Sequence, residues 1–495
     1  MTWATKEVNL QHLGVIGNRR PVMVRLTNRE MESNSVSFIK LQALTDETRW
    51  EANHDVSREE RRPEAMGESA QCPSAQGLSQ WLAVIFVIGA VAGIGVLALP
   101  HAMNETGWSG TAIIVVCALA SGYCGSRLGL CWIILEERWP EYREANRNPY
   151  PCIAFRAYGK PMKIAMSLIQ LVGLFGYGAV FLLLAGELIS DVTRQLSHGA
   201  LDWSICYWLI VIAVVLAGLM WLGTPKDFGF AAFGALGATL LASFMVVGVC
   251  CSRVLAGTAA GPRRSELSVE GFFQGFGTIM FSYGGAAMFP TVQNDMKDRS
   301  RFSGAVVYAT IALVLLYLLM SLIGFLTFGS DVKADILLSI GDGVISIVVQ
   351  CLFIVHLLCA FLIIINPMCQ ELEEHIGVPP EFTWKRVALR SFLMLAVLMV
   401  AESVPHFGKV LPLVGSLLVG LTTFVLPCVF YYKLCSDTKQ EWPERKLPLW
   451  EKSVLVEIVI VGAIGTVAGT VSSVKDLLAP GSFALPCFIS TDVVL

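Results

Sequence analysis

Charge is what this sequence has least of. Only 15% of its 495 residues are Asp, Glu, Lys or Arg, against roughly 25% in soluble globular domains. With 55% hydrophobic residues, that deficit argues against a disordered chain, a nucleic-acid binder and a secreted disulfide scaffold. The 14 cysteines contain no CxxC pair, so no zinc or other metal site is expected. No GxxxxGK[ST] segment is present, which argues against an ATP-driven pump. Inside the apolar runs the polar residues are isolated rather than paired as His/Asp clusters. No enzyme and no cofactor are therefore expected. Met1 to Arg20 lacks an apolar core, so a cleavable signal peptide is not expected either.

Long apolar runs are what the chain does have. Residues 1–80 are polar and read as a largely disordered cytosolic tail. From residue 81 onward, segments of about 20 apolar residues recur, each long enough to cross a bilayer as a helix. Eleven are read, at 81–103, 108–135, 164–190, 204–223, 228–251, 271–292, 304–328, 343–366, 387–402, 408–432 and 453–473. Residues 474–495 form a short tail. With the N-terminus in the cytosol, and with Arg390 and Lys409 counted to the faces they adjoin, inner segments carry 28 Lys and Arg and outer segments 7. This bias orients a multi-pass protein with its C-terminus outside or luminal. Plasma membrane and vesicular or lysosomal membrane fit the sequence equally. Four cysteines, Cys206, Cys250, Cys251 and Cys487, fall near one membrane face, where a disulfide or free thiols are both compatible with the sequence.

Two segments are interrupted in matching places. The first contains Gly93-Ile94-Gly95 and then Pro100; the sixth contains Ser282-Tyr283-Gly284-Gly285 and then Pro290. In each, a glycine precedes a proline by five residues. Glycine weakens a helix interior and proline removes a donor. Unwound backbone at membrane depth persists where it lines a cavity. The first segment enters from inside and the sixth from outside, so segments 1–5 and 6–10 have opposite orientations. Matching Gly/Pro interruptions in two inverted halves point to a transporter's central site. Half-helix N-termini offer N–H groups to a carboxylate, and unwound carbonyls suit an ammonium or a cation. A zwitterion such as an amino acid needs both.

Three motifs also resemble a known family. They are Gly93-Ile-Gly-Val-Leu-Ala-Leu-Pro100, Phe281-Ser-Tyr-Gly-Gly-Ala-Ala-Met-Phe-Pro-Thr-Val-Gln-Asn-Asp-Met296 and Val404-Pro-His-Phe-Gly-Lys-Val-Leu-Pro-Leu-Val-Gly415. In order over about residues 80–472, they are similar to the amino acid/auxin permease family, which includes vesicular and proton-coupled amino acid transporters. The resemblance implies an all-α membrane fold of the amino acid–polyamine–organocation superfamily, with a five-plus-five inverted repeat (about 81–251 and 271–432) and an eleventh helix at 453–473. It implies secondary transport of small neutral amino acids, often coupled to protons. Related sodium-coupled folds use hydroxyls of the eighth helix. Residues 347–362 here hold no Ser or Thr, which favours protons over sodium.

The substrate-binding candidates are Gly93, Ile94 and Gly95 for the carboxylate, with Ser282, Tyr283, Gly284 and Gly285 completing the pocket. Tyr177 lies mid-way along the third segment, where its hydroxyl needs a partner. His356 lies at the centre of the eighth, and an ionisable group at that depth is a functional candidate. Its reference pKa suits a proton carrier. Glu187, with Asp191 and Glu402, closes segments near the outer face as a proton-entry or gate candidate. Arg127 reads as snorkelling to the inner surface. The expected partners are an amino acid, protons and the lipid bilayer, with no nucleic acid. The alternative reading is a transporter-like amino acid sensor that signals through the tail.

Overall fold

The computed structural model describes residues 4–5, 25–26, 77–143, 148–201, 203–222, 229–261, 268–379, 382–404, 406–437, 442–443 and 445–479. Most of the 1–80 tail, Cys487 and the end of the 474–495 tail lie outside the described residues. Contacts divide the chain into Met1–Cys72 and Pro73–Leu495. In the first unit Ala4–Thr5 (β1) pairs antiparallel with Arg25–Leu26 (β2).

The second unit is helical. Helix falls on all eleven apolar segments. The first segment is two helices, α1 (Gln80–Val91) and α2 (Gly95–Thr106). Ser79 caps α1 by accepting from the Leu82 N–H at 3.3 Å. There follow α3 (Ser109–Arg138), α4 (Pro149–Tyr158), α5 (Lys160–Leu196), α6 (Ile205–Leu222) and α7 (Gly229–Leu255). The sixth segment is again split, into α8 (Val269–Ser282) and α9 (Phe289–Asn294). Next come α10 (Phe302–Phe328), α11 (Val344–Ile376), α12 (Trp384–Ser403) and α13 (Phe407–Val414). A π-helix over Gly415–Val425 joins α13 to α14 (Leu426–Ser436), and α15 (Leu449–Leu478) follows. Among the described residues, seven helices are long and apolar enough to cross a membrane by length and composition, and Gln80–Gly89 and Ile205–Trp221 are shorter apolar helices.

Small residues set how closely these helices pack. Along one face of α3, a Cβ on Gly122 would meet Thr310 Oγ1 at 2.7 Å and one on Gly125 would meet Phe289 at 2.6 Å. Close approach over small residues is what holds helices together where no water is available to drive them. Arg127 does not simply reach for the surface. It pairs with Glu451 of α15 at 3.2 Å, under the rings of Tyr123 and Tyr431. The Tyr431 hydroxyl donates to the same carboxylate at 3.3 Å.

The two ends of the bundle are held by different contacts. Where α1 begins, Leu78 N–H donates to Asp295 C=O at 2.8 Å and Lys297 N–H to Leu78 C=O at 3.0 Å. This short main-chain bridge ties the start of α1 to the exit of α9. Arg299 pairs there with Glu136, and Arg445 with Glu137 at 2.7 Å. At the far end, the segment between α10 and α11 makes two 3-10 turns, Gly329–Asp331 and Ile336–Ser339. Asp335 caps the second turn, accepting from Leu337 N–H at 2.9 Å.

Candidate functional site

The two interruptions meet. A Cβ on Gly95 would lie 2.6 Å from both Cα and Oγ of Ser282, so only glycine permits this contact. Gly285 in turn faces Val91 across the crossing. The chain leaves α1 through Ala92, whose N–H still returns to Ile88 C=O at 2.6 Å. It then restarts as α2. The first N–H groups of a helix have no acceptor within it. Val96 and Leu97 turn back to Gly93 and Ile94 carbonyls, whereas the N–H groups of Ile94 and Gly95 meet no acceptor among the described residues. The positive end of α2 is thus open at the crossing.

Side chains contribute less here than main chain. The Ser282 hydroxyl donates to Thr278 C=O at 3.0 Å, and the Tyr283 hydroxyl donates to Ile114 C=O at 2.9 Å. Both are committed to neighbouring backbone, so these residues offer their peptide groups. Tyr177 places its hydroxyl against Gly284, in space that any Cβ there would take, and its ring lies 5.2 Å from Phe281. One contributor was not anticipated. Tyr317 of α10 sits with its hydroxyl 2.9 Å from Val91 C=O and 2.6 Å from Ser282 C=O, and so spans both interruptions. Its only sequence signal was a tyrosine midway along an apolar segment, the same signal that singled out Tyr177.

His356 reaches the crossing from α11. It is 2% exposed. Its Nδ1 lies 3.2 Å from Ala235 C=O. A carbonyl only accepts, so Nδ1 carries a hydrogen, and in the neutral ring Nε2 presents a lone pair. That Nε2 has no partner among the described residues and lies 3.3 Å from where a Gly93 Cβ would sit. Beside them opens a cavity of about 90 Å³ that both residues line. An unpaired acceptor buried beside the interruption of the first helix can take a proton or hold a donor of a bound molecule.

Glu187 is elsewhere. It lies ten residues beyond Tyr177 on α5, about 15 Å along the helix. It accepts from Phe407 N–H at 3.3 Å, at the far end. Asp191, one turn on, binds Arg194, Gln195 and Gln350 at 2.6, 2.6 and 2.8 Å. Asp335 is 1% exposed in the same region. Burial pushes its carboxyl up to about 7; the Leu337 N–H opposes this and the charge of Asp191 adds to it. Glu402 is buried at the end of α12. Among the described residues no three His, Cys, Asp or Glu side chains converge as a metal site. Cys206 is disulfide-bonded, while Cys250 and Cys251 are free thiols.

The family profile described as transmembrane amino acid transporter protein matches residues 76–474. Similar proteins include the amino acid transporter AVT1J of Arabidopsis thaliana, 24% identical over 398 residues, 79% of this chain and 89% of that protein. The amino acid transporter ANT1 of Arabidopsis thaliana is 25% identical over 407 residues, 78% and 90% of the two chains. The crystal structure of MhsT in complex with L-phenylalanine has a TM-score of 0.50 and 12% identity, over 80% of this chain and 99% of that one. At that identity the likeness is one of fold alone.

Proposed function

This chain belongs to the transmembrane amino acid transporter protein family, as a multi-pass membrane protein and not an enzyme, and from that premise we propose that it is a proton-driven secondary transporter of neutral amino acids. The observation that carries the proposal is the crossing of the two interruptions. It combines open N–H groups on α2, unwound carbonyls and the unpartnered His356 Nε2 in one place. Carboxylate goes to the N–H groups of Ile94 and Gly95. Ammonium goes to the unwound carbonyls beside Gly93 and around Ser282 to Gly285. His356 exchanges a proton with whatever occupies the cavity. Glu187, buried at the far end, is the second proton-handling group. Sodium has no hydroxyl ligands on the facing stretch of α11.

In this reading eleven spans cross the membrane, as two inverted halves at 81–251 and 271–432 with an eleventh helix at 453–473. The Lys/Arg bias supports an N-terminus in the cytosol and a C-terminus outside. The cavity then lies in the cytosolic half, and the far end is the outer side. Transport alternates that arrangement with its converse. The sensor reading has one observation in its favour: the last residues of the tail bond directly to the exit of α9.

The test is uptake of a labelled amino acid panel into proteoliposomes, with sodium absent and with or without an imposed proton gradient. Accumulation driven by the gradient is the expected outcome. Accumulation that needs sodium removes the proton assignment. Binding without accumulation under either gradient replaces the transporter with the sensor.

A further inference from the structure

The family resemblance implies small neutral substrates, but the cavity beside His356 has a different chemistry. It begins at Gly93 and His356 and runs along α1 and α11 toward the start of α1. Its wall is formed by Phe86 of α1, Phe181 of α5, Phe233 of α7, Met288 before α9, and Ile363 and Ile364 of α11. Among the described residues that line it, His356 is the one with a polar side chain. Gly89 and Ala360 are the small residues that leave the space open. A Cβ at Gly89 would find its nearest neighbour, Leu236, only at 3.8 Å.

The direction of the cavity constrains what fills it. Charged head groups of a zwitterion stay at the end formed by Gly93 and His356, where the first helix is interrupted. A side chain on the same molecule then extends into a wall that offers no hydrogen bond. A polar or charged side chain there would lose its water without replacement. A methyl group would leave most of the wall without contacts. A branched aliphatic, thioether or aromatic side chain fills it. We infer that the substrates are amino acids with large apolar side chains, seated between Phe86, Phe233 and Ile363, with Ala360 setting the size limit. This rests on the transporter reading of the same site.

The experiment uses the full-length protein in proteoliposomes with labelled glycine, alanine, serine, leucine, methionine, phenylalanine, glutamate and lysine. The expected kcat/KM for leucine or phenylalanine exceeds that for alanine by about tenfold or more, the usual worth of added methylenes in an apolar pocket. Ala360→Phe should lower the leucine-to-alanine ratio about tenfold. Ile363→Ala should shift the preference toward the largest side chains, and it serves if the first variant does not fold. Alanine or glycine equal to leucine in the wild type overturns the inference and leaves the transporter standing. So does a variant that scales every substrate by one factor. Equilibrium binding of labelled leucine and alanine to purified protein separates the two readings. Preferential leucine binding without uptake keeps the pocket and removes transport. No binding of either removes both.

Discussion

The two halves of the first broken helix have similar length and opposite surroundings. In α2, ten of twelve residues are buried. Pro100 touches the position of Gly324 on α10, and Gly95 touches Ser282. In α1, Trp81 and Ile85 are 66% and 36% exposed, and one face borders the cavity through Phe86 and Gly89. A helix wedged on every side has one arrangement; a helix beside empty space has more than one. The difference shows that the interruption at Ala92 to Ile94 separates a fixed half, which presents N–H groups, from a half with room to move.

That contrast can be broken most severely at Gly95. Gly95→Leu forces a side chain into the Ser282 backbone, so uptake should fall at least about a hundredfold, by analogy with other misplaced reacting groups. Gly89→Ala, where an added Cβ meets only Leu236 at an ordinary 3.8 Å, should cost little; equal losses in both would remove the distinction between the halves. His356→Gln comes next. Uptake under a proton gradient should drop about tenfold, to the level seen without one, and an unchanged gradient response would exclude His356 as the proton carrier.

Tyr317→Phe removes the hydroxyl that joins Val91 to Ser282. Loss of one buried hydrogen bond should cost about 1–2 kcal/mol, read as a lower Tm in detergent with expression unaffected. An unchanged Tm would mean that packing alone holds the crossing. The smallest effect concerns the far end. Asp335 titrates near 7 when folded and at 3.8 otherwise, so the folded turn binds more protons than the unfolded one between those values. Its stability is highest below 3.8, falls as pH rises through that window, and levels off above about 7. Protection from hydrogen exchange at 329–343, taken relative to the intrinsic base-catalysed rate at each pH, should therefore fall from pH 5 to 8, and Asp335→Asn, which keeps the bond to Leu337, should flatten that profile.

Much of this comparison was legible in the sequence, for physical reasons. A run of twenty apolar residues has few alternatives to helix in a bilayer, so helix on all eleven segments follows from composition. The interruptions were visible because Gly93, Gly95, Gly284 and Gly285 are backbone instructions, and their contact follows from pairing the two broken segments. His356 stood out as an ionisable residue at depth. Other features leave no local mark. Pro149–Tyr158 is a short amphipathic helix among charged linkers. The π-helix over Gly415–Val425 looks like any apolar run. The partner of Arg127 is 324 residues away at Glu451. The cavity is lined by phenylalanines and isoleucines that, in a sequence, look the same as core.

The bridge between Leu78 and the Asp295–Lys297 turn has a bearing on how natural variation in this stretch should be read. It uses main-chain atoms alone, so most replacements of Leu78 preserve it whatever their chemistry. Proline at 78 does not, because it deletes the N–H that reaches Asp295. At 77 every residue but glycine is excluded, since a Cβ would stand 2.7 Å from the Lys297 nitrogen. A harmful allele here will therefore be recognised by the backbone it demands, and hydrophobicity or charge will be poor guides to its severity.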